Sequence, residues 1–378
     1  MSTIKIILRF FLLLVNISFL SCERSIPLNG GKDDFPSGTW QDLKFDKKIA
    51  NSFSIFEPFL YVAALEDGVW RRNIAQLSAE WEYLGLVSRD STRGTYRGSV
   101  VRVDAWGNDL LAGLDNPIEV PPEIKIGVWR SVDGGKTWAP SDSGMRTPTW
   151  QWSGVYDIRR SPQDPQIVMT GYGAFYRSSD GGLSWRFVYP DRREVITLFL
   201  KFSWNPANPL IVWALGQSGR GEPSLRHSTD GGLHWQLYHA NRLIEQGVLK
   251  LVELAYDGGD PNIVYLATSA GVFKSTKGGQ NWLDDQETLT PILTDSAERF
   301  FIGIVTQPKQ PGVFFTAAAR RFYLSIDGGQ SNFIITSPNQ QDIITLAYDE
   351  RDNMLYISAK DGVFRLKDPL HAPRIPYR

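Results

Sequence analysis

Short stretches of alternating apolar and polar residues fill most of the chain, and each is closed by Gly, Pro, Asn or Asp. Val128-Trp129-Arg130, Phe175-Tyr176-Arg177 and Val272-Phe273-Lys274 carry the two-residue period of half-buried strands. Longer apolar runs precede them, as in Leu249 to Tyr256 and Asn262 to Thr268. Between such runs stand Asp164-Pro165-Gln166, Asn208-Pro209-Leu210 and Asp260-Pro261-Asn262, which read as tight turns. No segment shows a convincing amphipathic helical period, so the pattern predicts an all-β chain of many short strands.

The strands belong to a repeat. Ser131 to Trp138 reads SVDGGKTW, Ser178 to Trp185 SSDGGLSW, and Ser228 to Trp235 STDGGLHW. Ser275 to Trp282 (STKGGQNW) has Lys277 at the Asp position, and Ser325 to Phe333 (SIDGGQSNF) has an extra residue and Phe for Trp. The starts are 47, 50, 47 and 50 residues apart. Ser131, Asp133, Gly135 and Trp138 each have a physical role, as do Ser178, Asp180, Gly182 and Trp185, and Ser228, Asp230, Gly232 and Trp235. Asp327 stands in the fifth copy. The carboxylate accepts turn N–H groups, the glycines permit positive φ, and Trp opens the next strand and packs between sheets.

Weaker copies extend the count. Gly68-Val69-Trp70-Arg71 with Trp81 precedes the full repeats, and Gly362-Val363-Phe364-Arg365 follows them without a later Trp strand. The missing strand stands at the other end, at Gly38-Thr39-Trp40-Gln41-Asp42-Leu43. Seven pre-turn strands and seven Trp-type strands, four strands per period, predict a single seven-bladed β-propeller of four-stranded antiparallel blades. The N-terminal strand joins the last blade, which removes the free sheet edges of an open array. The expected layout is residues 1–21 signal peptide, 22–37 flexible tether and 38–370 propeller. Arg374-Ile375-Pro376 falls outside the blades in this reading.

The N-terminus changes the expected address. Lys5 and Arg9 precede an apolar run from Phe10 to Leu20, too short to span a bilayer but suited to a signal peptide. It ends at Phe19-Leu20-Ser21-Cys22, and Cys22 is the only cysteine. This resembles a bacterial lipoprotein signal, although Leu is preferred where Phe19 stands. The resemblance implies lipidation of Cys22, a membrane anchor through that lipid, and an exported outer-membrane or cell-surface lipoprotein.

The repeat resembles the Asp-box (BNR-type) repeat of sialidases, two-propeller xyloglucanases, the sortilin receptor domain and photosystem II assembly-factor propellers. The resemblance is one of scaffold, covers roughly Gly38 to Lys367, and does not carry chemistry with it. Sialidases have six blades and an early Arg-Ile-Pro. Here the motif is at Arg374, and no Tyr–Glu nucleophile pair can be placed. The xyloglucanase cleft lies between two propellers, and one is expected here. The non-catalytic members are closer, implying a binding or assembly module for a protein or glycan partner at the cell envelope. The alternative is a sialidase-like or xyloglucanase-like glycoside hydrolase acting on extracellular polysaccharide.

In such propellers the binding face lies opposite the repeat turns, and here its loops are uneven. Arg93 and Arg97 precede blade two, Trp150 and Trp152 precede blade three, Arg192 and Arg193 precede blade four, and Arg220 lies in an insertion within blade four. Arginine with tryptophan suits anion recognition, stacking on sugars and protein interfaces alike. The alternative is that Trp150 and Trp152 cap the hydrophobic layer and the arginines are ordinary solvated side chains. Of 378 residues, 40 are Lys or Arg and 41 Asp or Glu, a net charge of −1 that offers no field for nucleic acid. Asp33-Asp34 and Asp284-Asp285 lack calcium-loop spacing, and the four histidines form no zinc pattern. No metal and no cofactor are expected.

Overall fold

The computed structural model describes residues 35–45, 48–65, 67–76, 78–86, 99–115, 127–145, 155–171, 174–189, 201–218, 220–282, 289–297 and 300–377. They form seven antiparallel sheets. The first strand, β1 (Trp40–Asp42), belongs to the last sheet. Blade one is β2 (Ala50–Phe56), β3 (Phe59–Ala64), β4 (Gly68–Asn73) and β5 (Glu82–Gly85). Blade two is β6 (Ser99–Trp106), β7 (Asp109–Asp115), β8 (Gly127–Ser131) and β9 (Ala139–Pro140). Blade three is β10 (Asp157–Arg160), β11 (Val168–Gly171), β12 (Phe175–Ser178) and β13 (Arg186–Tyr189). Blade four is β14 (Lys201–Trp204), β15 (Val212–Gln217), β16 (Pro223–Ser228) and β17 (Gln236–His239), followed by the short helix α1 (Asn241–Glu245). Blade five has β18 (Leu251–Tyr256), β19 (Val264–Thr268) and β20 (Gly271–Ser275). Blade six has β21 (Phe301–Thr306), β22 (Phe314–Ala318), β23 (Arg321–Ser325) and β24 (Asn332–Ile335), and blade seven β25 (Ile343–Asp349), β26 (Met354–Ala359) and β27 (Gly362–Lys367).

The ring closes as the orphan Trp strand requires. In β1, Trp40 pairs with Leu366, Gln41 with Arg365 and Asp42 with Phe364. The inner strands β2, β6, β10, β14, β18, β21 and β25 each pack on the next, and β25 packs back on β2. The core is therefore divided into layers between neighbouring blades. Trp213 and Leu225 of blade four, for example, pack with Leu254, Phe273 and Trp282 of blade five.

The repeat turns tie each blade to the one before. Ser131 Oγ donates to Asp133 Oδ1 (2.8 Å) and accepts the Gly135 N–H (2.8 Å), while the Thr137 N–H donates to Asp133 (2.9 Å). Donation from the Thr137 hydroxyl and amide and from Ser131 holds the Asp133 carboxyl down at about 2. The Ser178 and Ser228 turns repeat the pattern. Gly135 has φ of 91°, and a Cβ there would meet Leu84 of blade one at 2.8 Å, so both conformation and approach demand glycine. The tryptophans just before β5, β9 and β13 point their indole N–H backwards round the ring. Trp138 donates to Leu84 O (2.7 Å), Trp185 to Ser141 O (2.7 Å) and Trp81 to Leu43 O (2.8 Å). Trp40 does the same to Thr336 O of the link after blade six (2.8 Å).

Among the described residues, two sheets differ from the four-stranded pattern. In blade five a 3-10 turn, Gln280–Trp282, follows the repeat turn, and a single bridge, Val272 to Leu293, stands beside β20. The cause is local. Lys277 replaces the carboxylate that elsewhere accepts the N–H four residues on, and Gln280 and Trp282 instead donate back to the carbonyls of Lys277 and Gly279. Blade six gains β28 (Arg374–Tyr377), paired with β24 through Phe333 and Pro376. The segment Arg374-Ile375-Pro376, expected outside the blades, is thus the outer strand of blade six and carries the propeller past residue 370. Proline is tolerated there because the strand is an edge.

Candidate functional site

Two faces follow from the strand order. The repeat turns and the turns joining the first and second strands of each blade share one face. The links between blades and the loops joining second and third strands share the other. Of the arginines and tryptophans expected on that loop face, Arg93, Arg97, Trp150, Trp152, Arg192 and Arg193 lie outside the described residues, as does Cys22. Arg220 is described and exposed. It sits in the β15–β16 loop, where Ser218 Oγ accepts the N–H groups of Arg220 and Glu222.

The links holding the undescribed residues lead into β6, β10 and β14, and those inner strands carry a cluster that sequence reasoning missed. Asp157, fully buried, pairs with Arg102 (2.8 Å) and Arg159 (3.3 Å) and accepts the Phe202 N–H (2.9 Å). Arg159 also donates to Glu253 on β18 (3.0 Å). Burial opposes ionisation of Asp157, yet the charges of Arg102 and Arg159 hold its carboxyl below the usual range. Burial, reinforced by Arg102, lowers the Lys201 ammonium to about 8. Three cations and two carboxylates from blades two to five thus surround the ring axis, an excess of one positive charge near neutral pH. The available signal was a charge recurring within successive apolar inner strands: Arg102 in VVRVDAW, Arg159 in YDIRR, Lys201 in LKFSW and Glu253 in LVELAY.

A second feature lies on the loop face between blades five and six. A cleft of about 350 Å³ is lined by Gly247, Leu249, Ser269, Ala270, Asp295, Phe300 and Phe301. Leu249 is 68% and Phe300 55% exposed. Below them Asp295 is buried, accepting from Arg321 (2.6 Å), from the Tyr323 hydroxyl and from the Ala297 N–H. Tyr377 of β28 stacks edge-on against Tyr323 at 5.3 Å, so the extra strand buttresses this cleft.

Glycoside cleavage uses a pair of carboxyl groups, one of them poised to donate a proton. Asp157, Glu253 and Asp295 are each held by a guanidinium. The arrangement is suited to recognition through fixed charges and apolar anchors.

No protein-family model matches the sequence, and no curated protein matches it. Solved structures share its shape. YCF48 bound to D1 peptide is 13% identical with a TM-score of 0.60, covering 89% of this chain and 98% of that one. The GH74 xyloglucanase of Xanthomonas campestris is 15% identical with a TM-score of 0.61, covering 88% of this chain and 54% of the enzyme. PorZ, a surface component of the type-IX secretion system of Porphyromonas gingivalis, is 14% identical with a TM-score of 0.59, covering 84% and 46%. At these identities the likeness is one of fold. The xyloglucanase and PorZ are each about twice the length of the matched region.

Proposed function

We propose that this chain is a lipid-anchored protein of the bacterial cell envelope whose propeller binds a protein partner on its loop face without catalysing a reaction. The observation that carries this reading is the state of the loop-face groups. The carboxylates near the axis and in the cleft are tied up by arginine, whereas Leu249 and Phe300 stand exposed over a cleft wide enough for side chains of a partner. Paired charges that fix register beside apolar anchors are the anatomy of a protein interface. A propeller of the same shape is known bound to a peptide, and another is a component of a bacterial secretion system. Both are consistent with such a role.

The test is to recover the envelope partner with the tagged protein and compare variants of matched thermal stability. Leu249→Asp with Phe300→Asp should abolish recovery. Trp150→Ala with Trp152→Ala should also weaken it, and Arg192→Ala with Arg193→Ala should weaken it in a salt-dependent way, since exposed charges are screened over about 10 Å at 0.1 M salt. Undiminished recovery by every variant would refute the assigned face. Asp191 and Glu194 flank Arg192 and Arg193 in the sequence and are the carboxylates an acid/base pair on this face would use; hydrolysis of a glycan panel that falls roughly 10²–10⁴-fold in variants of either would establish the glycosidase instead.

The anchor has its own measurement. Replacing Cys22 by Ser should move the protein from the detergent phase to the aqueous phase on phase separation. A substituted protein that stays uncleaved in the membrane would show that Cys22 is not the lipidated N-terminus.

A further inference from the structure

The seam where the ring closes holds a second group of charges, on the face opposite the proposed interface. Glu57 lies in the β2–β3 turn of blade one. Asp349 ends β25 of blade seven, and Asp352 lies in the turn that follows it. One carboxylate oxygen from each lies within 4.8 Å of the other two. Asp349 is only 4% exposed. Its Oδ1 accepts the Arg351 N–H (3.1 Å), while Oδ2 is buried and has no hydrogen-bond partner among the described residues. Glu57 repeats the situation: Oε2 accepts from Arg351 Nη1 (2.9 Å), and Oε1 is buried without a partner.

Two orphaned carboxylate oxygens beside a third carboxylate are costly as bare charges, and a proton or a cation shared between them relieves that cost. Arg351 does not resolve this. Its guanidinium is engaged with the other oxygen of Glu57, and one positive charge faces three negative ones. We propose that Glu57, Asp349 and Asp352 bind a calcium ion that clamps blade one to blade seven. The donors are all carboxylate oxygens, with no nitrogen or sulfur, which selects a hard cation over zinc or copper. Calcium, which takes most of its ligands from protein oxygens in a flexible sphere, suits three protein carboxylates better than magnesium, which keeps several of its waters. Exposed Asp352 leaves an entry path and room for water ligands.

The site joins the first full blade to the last, so its occupancy should be read in the stability of the whole ring. The full-length protein, stripped with EDTA and dialysed, is titrated with calcium chloride by calorimetry and followed by thermal unfolding. One ion per chain should bind in or below the range of about 0.1–1 mM typical of extracellular calcium modules, raising Tm by a few degrees. Asp352→Asn, at an exposed position, should fold normally and lose both the binding heat and the Tm response. Asp349→Asn should be at least as stable as the stripped wild type, since it removes a buried unpaired charge, and should ignore calcium. Absence of any heat or Tm change in the wild type would overturn the site. A calcium response that survives in both variants would equally overturn it, since the ion would then lie elsewhere.

Discussion

Replacing Asp157 by Ala should lower the unfolding free energy by roughly 3–5 kcal/mol, the range measured when one partner of a buried ion pair is removed. The carboxylate is fully buried, and Arg102 beside it is 8% exposed at its side chain, so this guanidinium contact is not replaced by water once the carboxylate is gone. The Phe202 N–H at the start of blade four loses its acceptor in the same step. Asp157→Asn keeps the shape and isolates the charge. Because the folded carboxyl titrates below its unfolded value, its stabilisation is complete above the unfolded pKa near 3.9 and disappears as pH falls through the lower folded value. The difference between wild type and Asp157→Asn, measured by denaturant unfolding, should therefore shrink as pH falls below about 4. A difference independent of pH down to 2 would mean the ion pair contributes nothing. A mere loss of packing would also leave the difference flat, which separates the two causes.

The ring was legible because its signals are local. Pre-turn strands such as Val128-Trp129-Arg130 and Val272-Phe273-Lys274 repeat one local pattern, and Trp81, Trp138, Trp185 and Trp235 each stand immediately before an outer strand. Trp40 revealed the closure for the same reason, being a Trp strand with no blade of its own at the N-terminus. In blade five Trp282 keeps its place while Lys277 replaces the carboxylate that sets the turn, and a 3-10 turn, Gln280–Trp282, stands there, the Trp-type strand expected after it falling on residues outside those described. β28 escaped because Arg374-Ile375-Pro376-Tyr377 carries a proline and exposed side chains, features that mark an edge and say nothing about which edge. The charged groups were harder to read. Arg102, Asp157 and Glu253, or Glu57 and Asp349, are brought together by ring closure from positions far apart, and no spacing within one repeat records that. The expected Arg and Trp cluster of the loop face falls mainly on residues outside those described, Arg220 excepted. Its links enter the same inner strands as the axial cations.

Deleting residues 38–43 should be the most damaging change outside the inner strands, costing at least about 3–5 kcal/mol, the range for losing a large packed aromatic alone. Three losses coincide. The β1–β27 ladder disappears, which leaves β27 as an open edge. Trp40 leaves the layer it shares with Phe322 at 6.0 Å, and its indole bond to Thr336 goes with it. The Leu43 carbonyl, which accepts from both Arg72 (2.9 Å) and Trp81 (2.8 Å), is removed from beneath blade one. The seam between blades seven and one therefore loses its tie on both sides. Deletion of residues 374–377 is the matched control, since it too removes an outer strand, but one whose first three side chains are exposed and which closes nothing. Unfolding of both truncated proteins in urea, against the wild type, should show the N-terminal loss as much the larger. Equal losses would mean that β1 contributes only as another edge strand, and that the inner strands hold the ring closed without it.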